Sequence, residues 1–393
     1  MKIGITGAEG FLGFHVRAYL YALKIHEVHL ATRETFRSRE SLEQFVSGLD
    51  AIIHLAGINR GSEKDVCEGN AAVAEQLVSA LNRAAATPIL LYANSTHSEK
   101  ETAYGVGKRQ AGEVFFRWAN TYGARFINLI LPHIFGEFGR PFYNSAVSTF
   151  CYQIANGEQP QIHTDSQLEL VHAQDVARRC FQLLDSINCH SVLGTESSPN
   201  VENMDASLRW HDNTDNTIRL PGVPIKVSEL LSLLRDIYVS YQSQIIPDLS
   251  DRLHLQLFNT LRSYLYPQHY PNFLPLRTDN RGTLFEAVKT VQGGQIFISS
   301  TKPEVTRGNH FHLRKVERFL VLQGDAEIKI RKLFSSDVKT FHVSGKVPSY
   351  VDIPTFHTHS ITNLGTSEIM TLFWSNEIFD ANDSDTFSEQ VLV

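Results

Sequence analysis

Three glycines set between an apolar run and an amphipathic pattern restrict the fold of this chain more than anything else in it. The run is Lys2–Thr6 (KIGIT), the glycines are Gly7, Gly10 and Gly13 of TGAEGFLG, and the pattern is Phe11–Leu23. The apolar run reads as a buried strand and the pattern as a helix. Glycines at such a junction allow a tight turn and let the main chain approach a ligand closely. The helix N-terminus then offers free N–H groups to a pyrophosphate. Strand, glycine turn and helix in that order predict dinucleotide binding at the head of a parallel sheet.

The following residues continue the alternation. Strands are expected at Glu27–Ala31, Asp50–Ala56, Thr87–Ala93 and Phe126–Leu131, and helices at Asn70–Arg83 and Gly107–Tyr122. Such βαβ units imply a Rossmann-type, doubly wound α/β domain. From Ser191 to Thr217 the pattern gives way to Ser, Asn, Asp and Thr, which reads as a surface insertion. Helical periodicity returns at Val227–Tyr238 and Leu249–Tyr266. Tyr266–Pro275 holds three prolines and reads as a linker or domain edge. Short alternating runs follow at Gln295–Ser299, Arg318–Leu322, Glu327–Arg331, Lys339–Val343, Tyr350–Ile353 and Ile369–Trp374, the signature of an all-β sandwich or barrel. The expected domains are therefore 1–268 and 269–393.

Composition excludes several classes. A 42% hydrophobic fraction supports real cores, and a net charge of -6 gives no basic field for nucleic acid or an anionic membrane. No apolar run is long enough for membrane insertion, and the N-terminus lacks a signal-peptide pattern, so a cytoplasmic protein is expected. Cys67, Cys151, Cys180 and Cys189 contain no C-x-x-C pair and are expected to be reduced thiols.

The second strand should end at the residue that reads the adenosine ribose. It ends Ala31-Thr32-Arg33, with no carboxylate at the strand end and Glu34 just beyond. An arginine there suits a 2′-phosphate, so Arg33 points to NADPH; a merely solvated arginine loop is the alternative. Tyr104 and Lys108 form Y-x-x-x-K, which places both on one face at a helix head. A nearby ammonium favours the phenolate, which lets the phenol trade a proton with a carbonyl oxygen. Ser95, nine residues upstream at the preceding strand end, could donate to the same oxygen, with Thr96 as a substitute.

TGAEGFLG, DAIIHLAGINR, Asn70, Ser95, Tyr104 and Lys108 together resemble the extended short-chain dehydrogenase/reductase family of nucleotide-sugar enzymes. The resemblance implies that Tyr104 is the acid/base, that Lys108 binds the nicotinamide ribose and that Ser95 polarises the substrate carbonyl. It also implies that the cofactor lies along Gly7, Gly10, Phe11, Leu12, Gly13, Arg33, Leu55, Ala56, Gly57 and Lys108. Pro132–Gly136 and Val171–Val176 resemble substrate-side segments. Ile130 and His133 stand where relatives often carry Arg and Asn, so those contacts are not transferred.

In the second half, His310-Phe311-His312 puts two imidazoles on one side of an extended segment. Glu317 and Gly324 follow, and later Pro354, His359 and Asn363. The spacing H-x-H-x(4)-E-x(6)-G, then P-x(4)-H-x(3)-N, resembles the two cupin signatures. That resemblance implies a jelly-roll and a metal held by His310, His312, Glu317 and His359. Three imidazoles and a carboxylate suit a divalent ion, and the resemblance favours zinc. Phe356 replaces the usual glycine, and His357 beside it is a candidate proton-transfer group by position alone.

The reductase pattern followed by TRGNHFH, DIPT and TLFWSNE resembles the CapF-like family of bifunctional capsular-polysaccharide enzymes. Members are homodimers. Their cupin epimerises C3 of a UDP-4-keto-6-deoxy-N-acetylhexosamine, and the other domain reduces C4 with NADPH to UDP-N-acetyl-6-deoxy-L-talosamine. Rival readings are a 4,6-dehydratase, a 4-epimerase and a non-enzymatic sugar-nucleotide-binding regulator. A dehydratase would carry an Asp-Glu pair after the serine, where this chain has Thr96-His97-Ser98.

Overall fold

A computed structural model describes residues 1–192 and 217–392. The stretch Ser191–Thr217, but for its ends, lies outside the described residues, as does the side chain of Cys189. By compactness the chain divides into Met1–Ile134 with Glu169–Gly222, and Phe135–Leu168 with Val223–Val393.

The first unit is built on a parallel sheet. Its strands lie in the spatial order Glu27–Ala31, Lys2–Thr6, Ala51–His54, Ile89–Ser95, Phe126–Leu131, Thr217–Arg219. Alternate strand residues face opposite cores. Ile3, Ile5, Ile53, Leu91, Ile127 and Leu129 pack under the helices Phe11–Leu23 and Ala173–Val192. Ile52, Leu90, Tyr92 and Phe126 pack with residues of Glu63–Arg83 and Ala103–Tyr122 on the other face. Burial on both faces explains why these strands are near-continuous apolar runs. The chain leaves the first strand to one side for the second and to the other side for the third. Their carboxyl ends therefore flank a crevice at a topological switch point, where ligands bind in such sheets.

Two helices begin earlier than their periodicity suggests. Glu63–Arg83 starts at a capping box between Ser62 and Asp65, inside a charged stretch with no apolar periodicity. Ala103–Tyr122 starts behind an N-cap at Thr102, despite Gly105 and Gly107 in its first turns. Those glycines serve close packing: a Cβ on Gly105 would lie 2.2 Å from the His97 carbonyl oxygen, and one on Gly107 2.6 Å from that of Cys67.

The second unit contains two five-stranded antiparallel sheets. One runs Asn272–Phe273, Ser349–Ile353, Glu317–Gln323, Ile369–Ser375, Gln295–Thr301; the other Val338–Ser344, Asp325–Lys332, His357–Asn363, Thr306–Phe311, Phe387–Ser388. Phe319, Val321, Val351 and Phe373 of the first share a core with Ile328, Ile330, Phe341 and Ile361 of the second, giving the expected face-to-face jelly-roll packing. The proline-rich segment lies within this unit, where Tyr270 and Leu274 enter the β core. The helices Val227–Gln242 and Arg252–Leu265 also belong to it. Arg318 and Asp352, each 1% exposed at the side chain, form a bidentate pair, and Tyr241 from the first of those helices donates to Asp352 at 2.6 Å. A buried charge pair needs all its lone pairs satisfied, and this tyrosine helps to do so.

Candidate active sites

At the crevice of the first unit, Gly7 adopts φ +67°, and a Cβ there would lie 2.7 Å from the main-chain nitrogen of Ala56. The turn after the first strand and the turn after the third are therefore in direct main-chain contact. A Cβ on Gly13 would lie 2.2 Å from the Gly7 oxygen, so only glycine lets the helix pack this close to the turn. Gly10 is exposed, and Phe11–Leu23, with Leu12 in its first turn, has neither a side-chain cap nor an acidic residue in its first turn. Its leading N–H groups are open to an anion.

The opposite wall, Leu55-Ala56-Gly57, is pinned from two sides. Thr6 Oγ1 accepts from the N–H groups of Leu55 and Ala56 at 3.2 Å each and bonds His54 Nδ1 at 2.9 Å. Asn70 accepts from Ile58 N at 3.1 Å and donates to the Ile58 and Val66 carbonyls. Burial, with Lys108 as a smaller cause, pushes His54 down to about 3, so it is a neutral structural imidazole. Thr6 and His54 lie in the TGAEGFLG and DAIIHLAGINR segments but are not among the expected site residues. Their signal is that each is a polar residue ending a buried strand.

Arg33 is the exposed first residue of a short helix, Arg33–Arg37, directly after the second strand. Glu34 is taken by Arg37, whereas Arg33 has no ion pair among the described residues. Ser95 closes the fourth strand, and its Oγ accepts from His97 N at 3.2 Å. Tyr104 and Lys108 sit one turn apart at the head of Ala103–Tyr122. Lys108 is buried, donates to the Ala93 carbonyl at 2.6 Å and lies 4.2 Å above the Tyr92 ring. Burial lowers its pKa to about 7. Two imidazoles adjoin Tyr104: His97 packs edge-on at 6.0 Å between ring centres, and His133 lies 5.9 Å from His97. Burial lowers both their pKa values, with Lys100 adding to the effect.

In the second unit, His310 and His359 face each other across paired strands, and His312 follows two residues after His310. Glu317 reaches the same point from the facing sheet. One donor atom from each lies within 4.8 Å of the others. The Glu317 carboxylate is 3.0 Å from His312 Nε2, 3.4 Å from His359 Nε2 and 3.9 Å from His310 Nε2. The Nε2 atoms of His312 and His359 are buried, and neither makes a well-aligned hydrogen bond although the Glu317 carboxylate is close. Buried nitrogens that converge on a carboxylate without bonding it well form a donor set that fits a divalent cation. Their other nitrogens are oriented from behind. His312 Nδ1 bonds the Asp385 carbonyl at 2.6 Å, and His359 Nδ1 lies 3.3 Å from that of His357. Such outer contacts fix tautomer and ring orientation.

Asp385 also accepts from the N–H groups of Leu313, Arg314 and Lys315, tying the C-terminal arm to the segment between His312 and Glu317. A cavity of about 300 Å³ opens beside the cluster, lined by Gln295, Phe297, His310, Lys315, Glu317, Ser375, Glu377, Phe379 and Thr386. His357 does not line it; its ring packs against Tyr266 at 4.8 Å and Phe138 at 5.9 Å.

The fold and sites define an α/β nucleotide-sugar enzyme joined to a jelly-roll. Residues 3–192 match the NAD dependent epimerase/dehydratase family and residues 277–387 the polysaccharide biosynthesis C-terminal domain. Over 390 residues the chain is 32% identical to the UDP-2-acetamido-2,6-beta-L-arabino-hexul-4-ose reductase of Pseudomonas aeruginosa, covering 99% of this chain and 98% of that one. The chain belongs to the family of that reductase. The crystal structure of the capsular polysaccharide assembling protein CapF of Staphylococcus aureus is similar over 100% of both chains, with 29% identity and a TM-score of 0.60. RMD of Pseudomonas aeruginosa, solved with NADPH, shares the fold over 67% of this chain and 98% of its own, at 19% identity and a TM-score of 0.52. Among the described residues no helix is long and apolar enough to cross a membrane.

Proposed function

We propose that this chain is a bifunctional nucleotide-sugar enzyme of surface polysaccharide synthesis. The β domain inverts C3 of a UDP-4-keto-6-deoxy-N-acetylhexosamine, and the Rossmann domain reduces C4 to a UDP-N-acetyl-6-deoxy-talosamine. The observation that carries this reading is the coexistence, in a full-length relative of a hexulose reductase, of the Tyr104–Lys108 helix head and the His/Glu cluster with its adjoining cavity. Gly7–Gly13 and Leu55–Gly57 would hold NADPH, which would supply hydride for C4, and His310, His312, Glu317 and His359 would hold a zinc-like cation, which would supply Lewis acidity.

Tyr104 passes its proton to the oxygen at C4 as that carbon is reduced. Ser95 donates to the same oxygen and orients the ketone. Lys108 holds the nicotinamide ribose, and its ammonium favours the phenolate left on Tyr104. In the β domain the chain surrounds a keto sugar whose C3 hydrogen is acidic, because its loss gives an enolate. A homodimer in the cytoplasm completes the reading. Ile296, Phe297 and Ile298 leave apolar surface exposed on the edge strand Gln295–Thr301, a feature that marks protein contacts.

The test is incubation of the enzyme with the UDP-4-keto sugar and NADPH, followed by NMR of the product. One NADPH oxidised per sugar, with inverted C3 and a hydroxyl at C4, is expected. Reduction with C3 retained would remove the epimerase half. Arg33 makes cofactor choice testable as well. Arg33→Ala is expected to weaken NADPH binding about 10-fold or more, the loss of one charge-assisted hydrogen bond to phosphate, and to leave NADH unchanged. Equal losses for both cofactors in fluorescence titrations would take Arg33 away from the 2′-phosphate.

A further inference from the structure

Lys315 is 6% exposed, and its ammonium donates to the Ser384 carbonyl at 2.6 Å. It has no ion pair among the described residues, although two carboxylates, Glu317 and Glu377, line the same cavity. Glu377 is engaged by both Nε and an Nη of Arg314 at 3.1 and 3.0 Å. An ammonium has three donors and no acceptor. One is satisfied by Ser384, which leaves two, and the residue lines the cavity beside the His/Glu cluster. Glu317 and Glu377 share the cavity with the ammonium, but neither lies within ion-pair distance of it. The main chain at Lys315 is itself held by Asp385, so the side chain starts from a fixed point.

We propose that Lys315 is a catalytic residue of the C3 inversion, the fixed positive donor for the enolate oxygen. This rests on the reading of the β domain as the epimerase. When the C3–H bond breaks, the proton goes to water in the cavity. The bonding pair forms C3=C4, and the carbonyl pair moves to the C4 oxygen as negative charge. The two free N–H groups of Lys315 face that charge. Water on the other face then gives a proton to C3, the enolate pair forms the new C3–H bond, the C4 oxygen pair restores the ketone, and solvent carries the balancing proton between the two faces. Lys315 keeps its own proton throughout and acts by position and charge, as donors aimed at a developing oxyanion do.

The test is deuterium exchange at C3 of the UDP-4-keto sugar in deuterated water, followed by NMR without NADPH, in wild type, Lys315→Met and Lys315→Arg. Bound metal and melting temperature are measured in parallel. Lys315→Met is expected to exchange about 10²–10³-fold more slowly, the usual loss for one oxyanion donor, with metal content and melting temperature unchanged. Lys315→Arg keeps the charge and is expected to retain most of the exchange. Wild-type exchange in folded, metal-replete Lys315→Met overturns the proposal while leaving the epimerase reading intact. Loss of metal or a lower melting temperature in Lys315→Met, with Lys315→Arg equally slow, makes the side chain a structural tether and also overturns it. If wild type itself shows no exchange, the epimerase reading fails and the role of Lys315 falls with it.

Discussion

Tyr104→Phe is expected to cut NADPH-dependent reduction of the 4-keto sugar by about 10²–10⁴-fold, the range for removing a general acid. The substitution deletes one oxygen and leaves the ring in its contact with His97. Cofactor binding should persist, because the glycine turn and the Leu55–Gly57 wall are held by Thr6 and Asn70, not by Tyr104. Stopped-flow absorbance gives the reduction rate, and fluorescence titration gives NADPH affinity. A rate near wild type would remove Tyr104 from the chemistry. A parallel loss of NADPH affinity would recast it as a cofactor contact. The same pair of measurements on Lys108 variants is less decisive. That ammonium also ties the Ala93 carbonyl and lies over Tyr92, so its removal disturbs the strand end as well as the ribose seat.

Much of this arrangement was legible in the residues. Lys2–Thr6, Phe11–Leu23, Glu27–Ala31 and Phe126–Leu131 have the bounds their patterns imply; for the central strands Lys2–Thr6 and Phe126–Leu131 that is because burial on both faces leaves a nearly unbroken hydrophobic record. His310 and His312 could be paired from spacing alone, since a strand repeats its side every two residues. Glu317 and His359 could be joined to them only by resemblance. Glu317 comes from the facing sheet, and sheet packing is not written in local periodicity.

Other features left no local trace. Helix Ala103–Tyr122 begins four residues before the expected Gly107, and Gly105 and Gly107, poor helix formers, are there because a neighbouring carbonyl leaves no room for a Cβ. The C-terminal arm was silent for a similar reason. Asp385 orients His312 across 73 residues, and nothing in the DSDTFSEQ stretch marks it as part of a metal site. The proline-rich segment reads as a linker by composition. Tyr270 and Leu274 bring it into the β core, and the Tyr241–Asp352 bond ties a preceding helix to the same body.

The two sites rest on separate donor sets, and His359→Ala is expected to separate their chemistry. His359 is fully buried and supplies one of four converging donors, so its loss should cost more than about 100-fold in metal affinity, the upper figure for removing only an outer-shell partner. Deuterium exchange at C3 without NADPH should fall sharply, and the variant should still bind NADPH. Tyr104→Phe should show the opposite pattern, with exchange retained and reduction lost. Metal binding to a folded site is also folding free energy, so part of any loss in His359→Ala could reflect a weakened β domain. Melting curves of the variant and of chelator-treated wild type separate the causes. Equal melting temperatures with exchange lost in both assign the loss to the missing cation. A folded, metal-free His359→Ala protein that exchanges C3 at the wild-type rate would make the cluster structural. Exchange abolished by Tyr104→Phe instead would move the inversion into the Rossmann domain, because deprotonation at C3 would then need the same phenol that reduction uses.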